Sequence, residues 1–182
     1  MKILGFAGSL RKGSFNRMLL NHALKVLPPD STLEIYDKLG EIPIFNQDFE
    51  NTPPPPVVDF KERIRANNAL LVATPEYNWS VPGMLKNAID WACRPPSDNV
   101  FNGKTVAIMS ASNGLVGGSR AQYHLRQSFV TLNMYAVNKP EVILAFAKDK
   151  FDKDGRLVDE TASNFMKDML NNLVNLTRKL KS

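Results

Sequence analysis

Apolar runs alternate with helix-patterned segments along the whole chain, and few folds accommodate that alternation. Lys2 to Ala7 is a short apolar run closed by Gly8, as a buried strand requires. Asn16 to Leu27 follows, with Met18, Leu19, Ala23, Leu24 and Leu27 at helical spacing, and Pro28-Pro29 stops it. Leu33, Ile35 and Tyr36 mark a second strand. A long loop comes next, carrying Pro43 and the run Pro53-Pro54-Pro55-Pro56, which reads as a stiff extended spacer rather than a domain linker. Val57 to Ala66 is a short helix and Ala69 to Thr74 a third buried strand. Pro82 to Cys93 is helical, with proline at its first turn. Thr105 to Met109 is strand four, Arg120 to Leu132 a helix, Val142 to Ala145 strand five and Glu160 to Leu180 a closing helix.

Strands that are apolar on both faces and separated by helices belong to a parallel sheet covered on both sides. Five such strands predict a three-layer, doubly wound α/β fold with a five-stranded parallel sheet. A (β/α)8 barrel needs about 250 residues, and this chain has 182. A single domain over residues 1–182 is therefore expected, without internal repeats. One cysteine, Cys93, excludes an internal disulfide, a Cys-only zinc site and an iron–sulfur cluster within one chain. The opening apolar stretch is too short for a secretory signal, and no run of 18 apolar residues follows, so a cytoplasmic protein with no membrane partner is expected. The formal net charge is +5, but the basic residues are scattered. That favours an anionic small-molecule ligand over nucleic acid. The charged stretch Lys148 to Asp159 does not form a calcium loop, because Lys150 and Thr161 would occupy the first and twelfth ligand positions. No metal site is expected.

Ligands of a doubly wound sheet bind beyond the carboxyl ends of its strands, and three loops there have unusual composition. The first, Gly8-Ser9-Leu10-Arg11-Lys12-Gly13-Ser14-Phe15-Asn16, leads from a strand into a helix. A helix start with free N–H groups attracts anions. Gly8 and Gly13 have Walker spacing, but Ser14-Phe15 replaces the Lys-Ser/Thr pair an NTPase needs. Gly5 and Gly8 do not make the dinucleotide fingerprint either. What fits is a phosphate held by hydroxyls, amides and one cation, with no metal. The second loop, Thr74-Pro75-Glu76-Tyr77-Asn78-Trp79-Ser80-Val81-Pro82-Gly83, is a rigid edge with two aromatics, suited to a flat heterocycle. The third, Ser110-Ala111-Ser112-Asn113-Gly114-Leu115-Val116-Gly117-Gly118, has three glycines that let backbone approach a ligand closely.

In order, Gly8-Ser9-Leu10-Arg11-x-x-Ser14-x-Asn16, Pro75-Glu76-Tyr77-Asn78 and Gly114-x-x-Gly117-Gly118 resemble the NADPH-dependent FMN reductase family. Within it the likeness is to bacterial quinone, chromate and azo-dye reductases, over residues 1–145. The resemblance implies a flavodoxin-like fold with strand order 2-1-3-4-5 and tightly held FMN. It places Ser9, Arg11, Ser14 and Asn16 on the FMN phosphate. It places Pro75, Glu76, Tyr77, Asn78, Ser112, Gly114 and Gly117 on the ribityl chain and isoalloxazine. Trp79 stands where many relatives have Tyr, at the outer wall where the substrate enters. The resemblance further implies a homodimer, or a homotetramer whose second interface is a network of Arg120, Tyr123 and Glu141.

The residues that are missing agree with a cofactor that carries the chemistry. His22 and His124 lie on expected helices outside the three loops, Cys93 reads as inert packing, and no nucleophile triad is suggested. A flavin needs only position and electrostatics from protein. The expected activity is ping-pong electron transfer from NADPH or NADH through FMN to quinones, azo dyes, ferric chelates or chromate. Two other readings use the same loops: a non-enzymatic flavodoxin-type carrier, which the positive charge disfavours, and a phosphate-ligand sensor.

Overall fold

A computed structural model describes residues 1–181. Its strands are β1 (Lys2–Ala7), β2 (Thr32–Tyr36), β3 (Ala69–Ala73), β4 (Thr105–Ala111), β5 (Tyr135–Ala136) and β6 (Val142–Leu144). The helices are α1 (Phe15–Ala23), α2 (Pro55–Ala66), α3 (Gly83–Ala92), α4 (Ser119–Thr131) and α5 (Glu160–Lys179). The strand order is β2-β1-β3-β4, and β5 and β6 share the position beyond β4. All pairings are parallel, with Gly5 opposite both Ile35 and Leu71.

Side chains alternate across the sheet with the two-residue strand period. Ile3, Leu71 and Met109 pack with Leu19, Leu20, Met166, Leu170 and Leu173 on the α1/α5 side. Leu4, Phe6, Leu70, Val72 and Ile108 pack with Phe60, Ile64, Leu85, Trp91, Leu125 and Phe129 on the side of α2, α3 and α4. Each large side chain buried this way contributes about 1.5–3 kcal/mol. The long loop after β2 is fastened by two α3 side chains: Trp91 Nε1 and Asn87 Nδ2 donate to the Pro43 carbonyl at 2.8 and 2.9 Å.

Three expectations need correction. The sheet has six strands rather than five, because Tyr135–Ala136 pairs with the start of β4 and Val142–Leu144 with its end. A two-residue strand has no hydrophobic period to read, and Pro140, in the gap between the two pieces, has no N–H for a ladder. Helix α1 ends at Ala23 rather than Leu27. Beyond it Lys25 and Val26 donate to the carbonyls three residues back, tightening the chain before Pro28. The proline run is not wholly a spacer, because Pro55 and Pro56 form the first turn of α2, where their missing N–H groups cost nothing.

The ends of β1, β3 and β4 lie at one edge, and the ladder continues into the loops. Gly8 N donates to Ala73 O at 2.8 Å, Thr74 N to Met109 O at 2.9 Å, and Ser112 N to Leu144 O at 3.0 Å. All three loops therefore leave the sheet from fixed starting points. Among the described residues, no helix is long and apolar enough to cross a membrane, and no cluster of His, Cys, Asp or Glu is arranged to hold a metal.

Candidate functional site

The phosphate loop is closed by its own backbone and side chains. Ser14 N donates to Arg11 O at 3.1 Å, and the Ser14 hydroxyl caps α1 by accepting from Arg17 N at 3.4 Å. The Arg11 guanidinium donates to Gly13 O at 2.7 Å and lies 5.6 Å from the Phe15 ring centroid, so the charge is folded back over the loop. Ser9, Ser14 and Asn16 are buried. The amides of Phe15 and Asn16, at the start of α1, have no acceptor among the described residues. Unpaired first-turn amides, two hydroxyls and one guanidinium form a set of donors to which an anion such as a phosphate could bind.

Asn16 serves two loops. Its Nδ2 donates to Ala111 O at 2.9 Å, and its Oδ1 accepts from Ala111 N at 3.0 Å. This reciprocal pair fixes the phosphate loop to the end of β4.

The ring loop is held differently. Pro75 is buried, and the Thr74 hydroxyl donates to its carbonyl at 2.8 Å. The Glu76 side chain, only 8% exposed, is engaged by α4. It accepts from Arg120 N at 3.0 Å and Ala121 N at 3.4 Å, and from the Arg120 guanidinium at 3.1 Å. It thus caps a helix whose N-cap, Gly118, has no side chain to do so. Tyr77 to Ser80 is a closed two-residue turn, with Tyr77 N to Ser80 O at 3.1 Å and Ser80 N to Tyr77 O at 3.0 Å. Asn78 and Trp79 occupy its corners, both in the left-handed region with φ of 49° and 64°. The Arg120 guanidinium lies 4.2 Å from the Trp79 ring centroid.

In the third loop, the Ser112 hydroxyl accepts from Gly114 N at 3.2 Å, and Asn113 Oδ1 accepts from Lys148 N at 2.9 Å. The glycines are not equivalent. A Cβ on Gly117 (φ 59°) would lie 2.7 Å from Ile143 Cγ2 and 2.8 Å from Ala145 N. One on Gly118 (φ 93°) would lie 2.8 Å from Ser110 Cβ. These two glycines let the loop lie against β6 and β4, whereas Gly114 meets nothing closer than 3.6 Å. Packing against β6 and β4 thus accounts for glycine at 117 and 118, and Gly114 is the one of the three whose Cβ position is uncrowded.

A cleft of about 170 Å³ opens where the loops meet, lined by Ser9, Arg11, Ser14, Asn16, Pro75, Glu76, Tyr77 and Ser112. Eight of the residues singled out in the sequence are thus brought together. Asn78, Gly114 and Gly117 lie on the same loops outside this lining, and Trp79 stands exposed beside Arg120. The Tyr123 and Glu141 side chains make no hydrogen bond or ion pair among the described residues, and Arg120 is taken by Glu76 and Trp79. Phe15, Ala111 and Asn113 also line the cleft and were not singled out. The motif placed Phe15 and Asn113 between chosen residues, but nothing in the sequence marks Ala111, which acts through its backbone.

Parallel strands in the order 2-1-3-4-5/6, with an anion-accepting strand-to-helix loop at their carboxyl edge, define a flavodoxin-like α/β protein. The chain belongs to the NADPH-dependent FMN reductase family, whose model matches residues 1–149. It is 48% identical to an NAD(P)H-dependent FMN reductase of Pseudomonas aeruginosa, over all of this chain and 97% of that protein. It is 46% identical to an NAD(P)H:quinone oxidoreductase of Solanum tuberosum, over all of this chain and 95% of that one. Among solved structures, the flavoenzyme NAD(P)H:(acceptor) oxidoreductase FerB of Paracoccus denitrificans superposes with a TM-score of 0.88. The two are 32% identical, over 98% of this chain and 97% of FerB.

Proposed function

We propose that this chain is an FMN-dependent NAD(P)H oxidoreductase that delivers electrons to quinones by a ping-pong mechanism. The observation that carries the reading is the cleft in which a phosphate-accepting helix start and a ring-sized edge are joined by Asn16 and Ala111. The quinone reductase names of relatives support the acceptor class.

The residues present fit FMN. The Phe15 and Asn16 amides, the Ser9 and Ser14 hydroxyls and Arg11 would hold its phosphate, with the α1 dipole adding to the attraction. Pro75, Glu76, Tyr77, Asn78, Ser112, Gly114 and Gly117 would meet the ribityl chain and isoalloxazine through the two other loops. Bound there, FMN would supply two-electron redox chemistry. The protein's part is to exclude water along Pro75 and Tyr77 and to leave one exposed approach beside Trp79. One approach means that donor and acceptor enter in turn, which is the ping-pong order. Azo dyes, ferric chelates and chromate are further acceptors of the proposed site, because none requires a specific proton donor from protein.

Assembly belongs to the same proposal. The Trp79 side of the site is open in one chain, and a homodimer through α3 and α4 would wall one flank of it while leaving the approach free. Among the described residues the Tyr123 and Glu141 side chains make no hydrogen bond, which supports their use at the second interface of a homotetramer; Arg120 would join them there only by leaving Glu76 and the Trp79 ring. Light scattering at micromolar concentration checks this, and a fully active monomer would overturn both assemblies.

Titrating the apo-protein with FMN and with riboflavin tests the site itself. FMN should bind at least about tenfold more tightly, the value of one charge-assisted hydrogen bond. Equal affinity would remove the phosphate loop from the site. A chain that binds FMN but is not reduced by NADPH would be a carrier instead.

A further inference from the structure

The Tyr77–Ser80 turn carries Asn78-Trp79 where turns of this shape normally place Asn-Gly, so Trp79 stands in the position of the glycine. Trp79 at φ 64° is the costlier of the two, because a left-handed backbone crowds a large side chain. Such a conformation persists only where surrounding contacts over-determine it. Those contacts come from a single helix. On α4, Arg120 caps the Trp79 ring, and one turn further His124 Nδ1 lies 2.9 Å from the Ser80 hydroxyl. Residues four apart share one helix face, so α4 grips the turn at its corner and at its closing residue. Arg120 is in turn fixed by Glu76, the residue preceding the turn. The Ser128 hydroxyl donates to the His124 carbonyl at 3.2 Å, on the same stretch of helix.

We propose that His124 is a positioning residue of the ring loop: by holding Ser80 it keeps the turn closed and so sets where Trp79 and Tyr77 stand beside the acceptor. The inference rests on the FMN reading of the cleft. His124 is not part of the cleft lining, and among the described residues its side chain hydrogen-bonds to Ser80, outside that lining. Its loss should therefore change how flat acceptors stack and leave FMN anchored.

The experiment compares His124→Ala, His124→Asn and Ser80→Ala with the wild-type holoenzyme, using 1,4-naphthoquinone and ferricyanide as acceptors. His124→Ala and Ser80→Ala should each lower kcat/KM for the quinone about three- to tenfold, the value of one hydrogen bond. Ferricyanide, which accepts electrons without stacking, and the FMN affinity should both stay within about twofold. The double variant should be no worse than either single one, as expected of two residues that share one contact. His124→Asn should recover most of the quinone activity, since an Asn side chain carries a polar atom as many bonds from Cα as Nδ1. It should also restore the visible absorption bands of bound flavin, which the Ala variants shift.

Wild-type values in both Ala variants would overturn the proposal and leave the FMN reading intact. A uniform loss with both acceptors that Asn does not rescue would overturn it as well, showing a merely structural contact. A wild-type protein that binds no FMN would overturn the cleft's assignment first, and this inference with it.

Discussion

The Asn16 side chain exchanges two hydrogen bonds with the backbone of Ala111, 95 residues away in the chain. This contact makes one site of two loops that sequence order separates. It also satisfies both polar backbone groups at a point where β4 has run past its pairing with β3.

Asn16→Ala should therefore affect both folding and binding. The Ala111 N–H and C=O would be left buried without partners, at about 1–3 kcal/mol each. A loss of about 2–4 kcal/mol in urea unfolding of the apo-protein is expected. Asn16→Asp should be nearly as harmful, because a carboxylate can accept from Ala111 N but repels Ala111 O. Near wild-type stability for the Asp variant would show that only one of the two bonds matters.

Arg11 is exposed, and among the described residues its guanidinium makes a single hydrogen bond, to Gly13 O in its own loop. Arg11→Ala should leave the unfolding midpoint almost unchanged while weakening FMN binding roughly 10- to 150-fold, the equivalent of a charge-assisted hydrogen bond. Fluorescence titration of the apo-protein reads the affinity directly, and an unaltered Kd would remove Arg11 from the phosphate.

Gly114 and Gly117, three residues apart, should respond in opposite ways. Gly117→Ala forces a Cβ against Ile143 and the backbone of β6 at a positive φ, and should cost at least about 2 kcal/mol. Gly114→Ala meets only the Ser112 hydroxyl, at an ordinary 3.6 Å, and should keep its stability to within about 0.5 kcal/mol while raising the FMN Kd. Thermal unfolding of the apo-forms separates the two effects. Equal destabilisation would refute the packing role assigned to Gly117.

One source of pH-dependent stability lies at the start of α5. Asp159 caps that helix through Ala162 N at 2.9 Å and pairs with Lys150. The Lys150 ammonium, followed by the Ala162 amide, holds the Asp159 carboxyl below the usual carboxylate range. A carboxyl lowered in the folded state contributes fully above its unfolded pKa of about 4. That contribution is lost as pH falls through the lower folded value. Asp159→Ala should cost about 1 kcal/mol at neutral pH, and its deficit should shrink in acid. A deficit independent of pH would mean that packing, not the charge, is what the cap supplies.

Much of this architecture is legible because buried parallel strands cannot hide their composition. Lys2–Ala7, Ala69–Ala73 and Thr105–Ala111 lie where apolar runs predicted them, and their carboxyl ends carry the three loops. Tyr135–Ala136 was missed because two residues carry no period. The end of α1 was misplaced because Leu24 and Leu27 continue the apolar spacing after the helical bonds have stopped.

Side-chain roles were harder to read than positions. Asn16 is expected at the phosphate, and in the structure its side-chain carboxamide is bonded to Ala111, which leaves its backbone N–H for that role. Glu76 was expected at the flavin, and its carboxylate caps α4. Both partners are fixed only once the sheet brings distant segments together, so no local pattern could reveal them. His124 was set aside for lying outside the loops, yet it reaches Ser80 across 44 positions of sequence.

Steady-state kinetics of the FMN-loaded protein tests the central claim most directly, with NADPH and a benzoquinone varied together. The account predicts quinone-dependent NADPH oxidation whose double-reciprocal lines are parallel, as a single approach used in turn requires. Intersecting lines would contradict the shared site, and an absence of quinone-dependent oxidation would contradict the function itself.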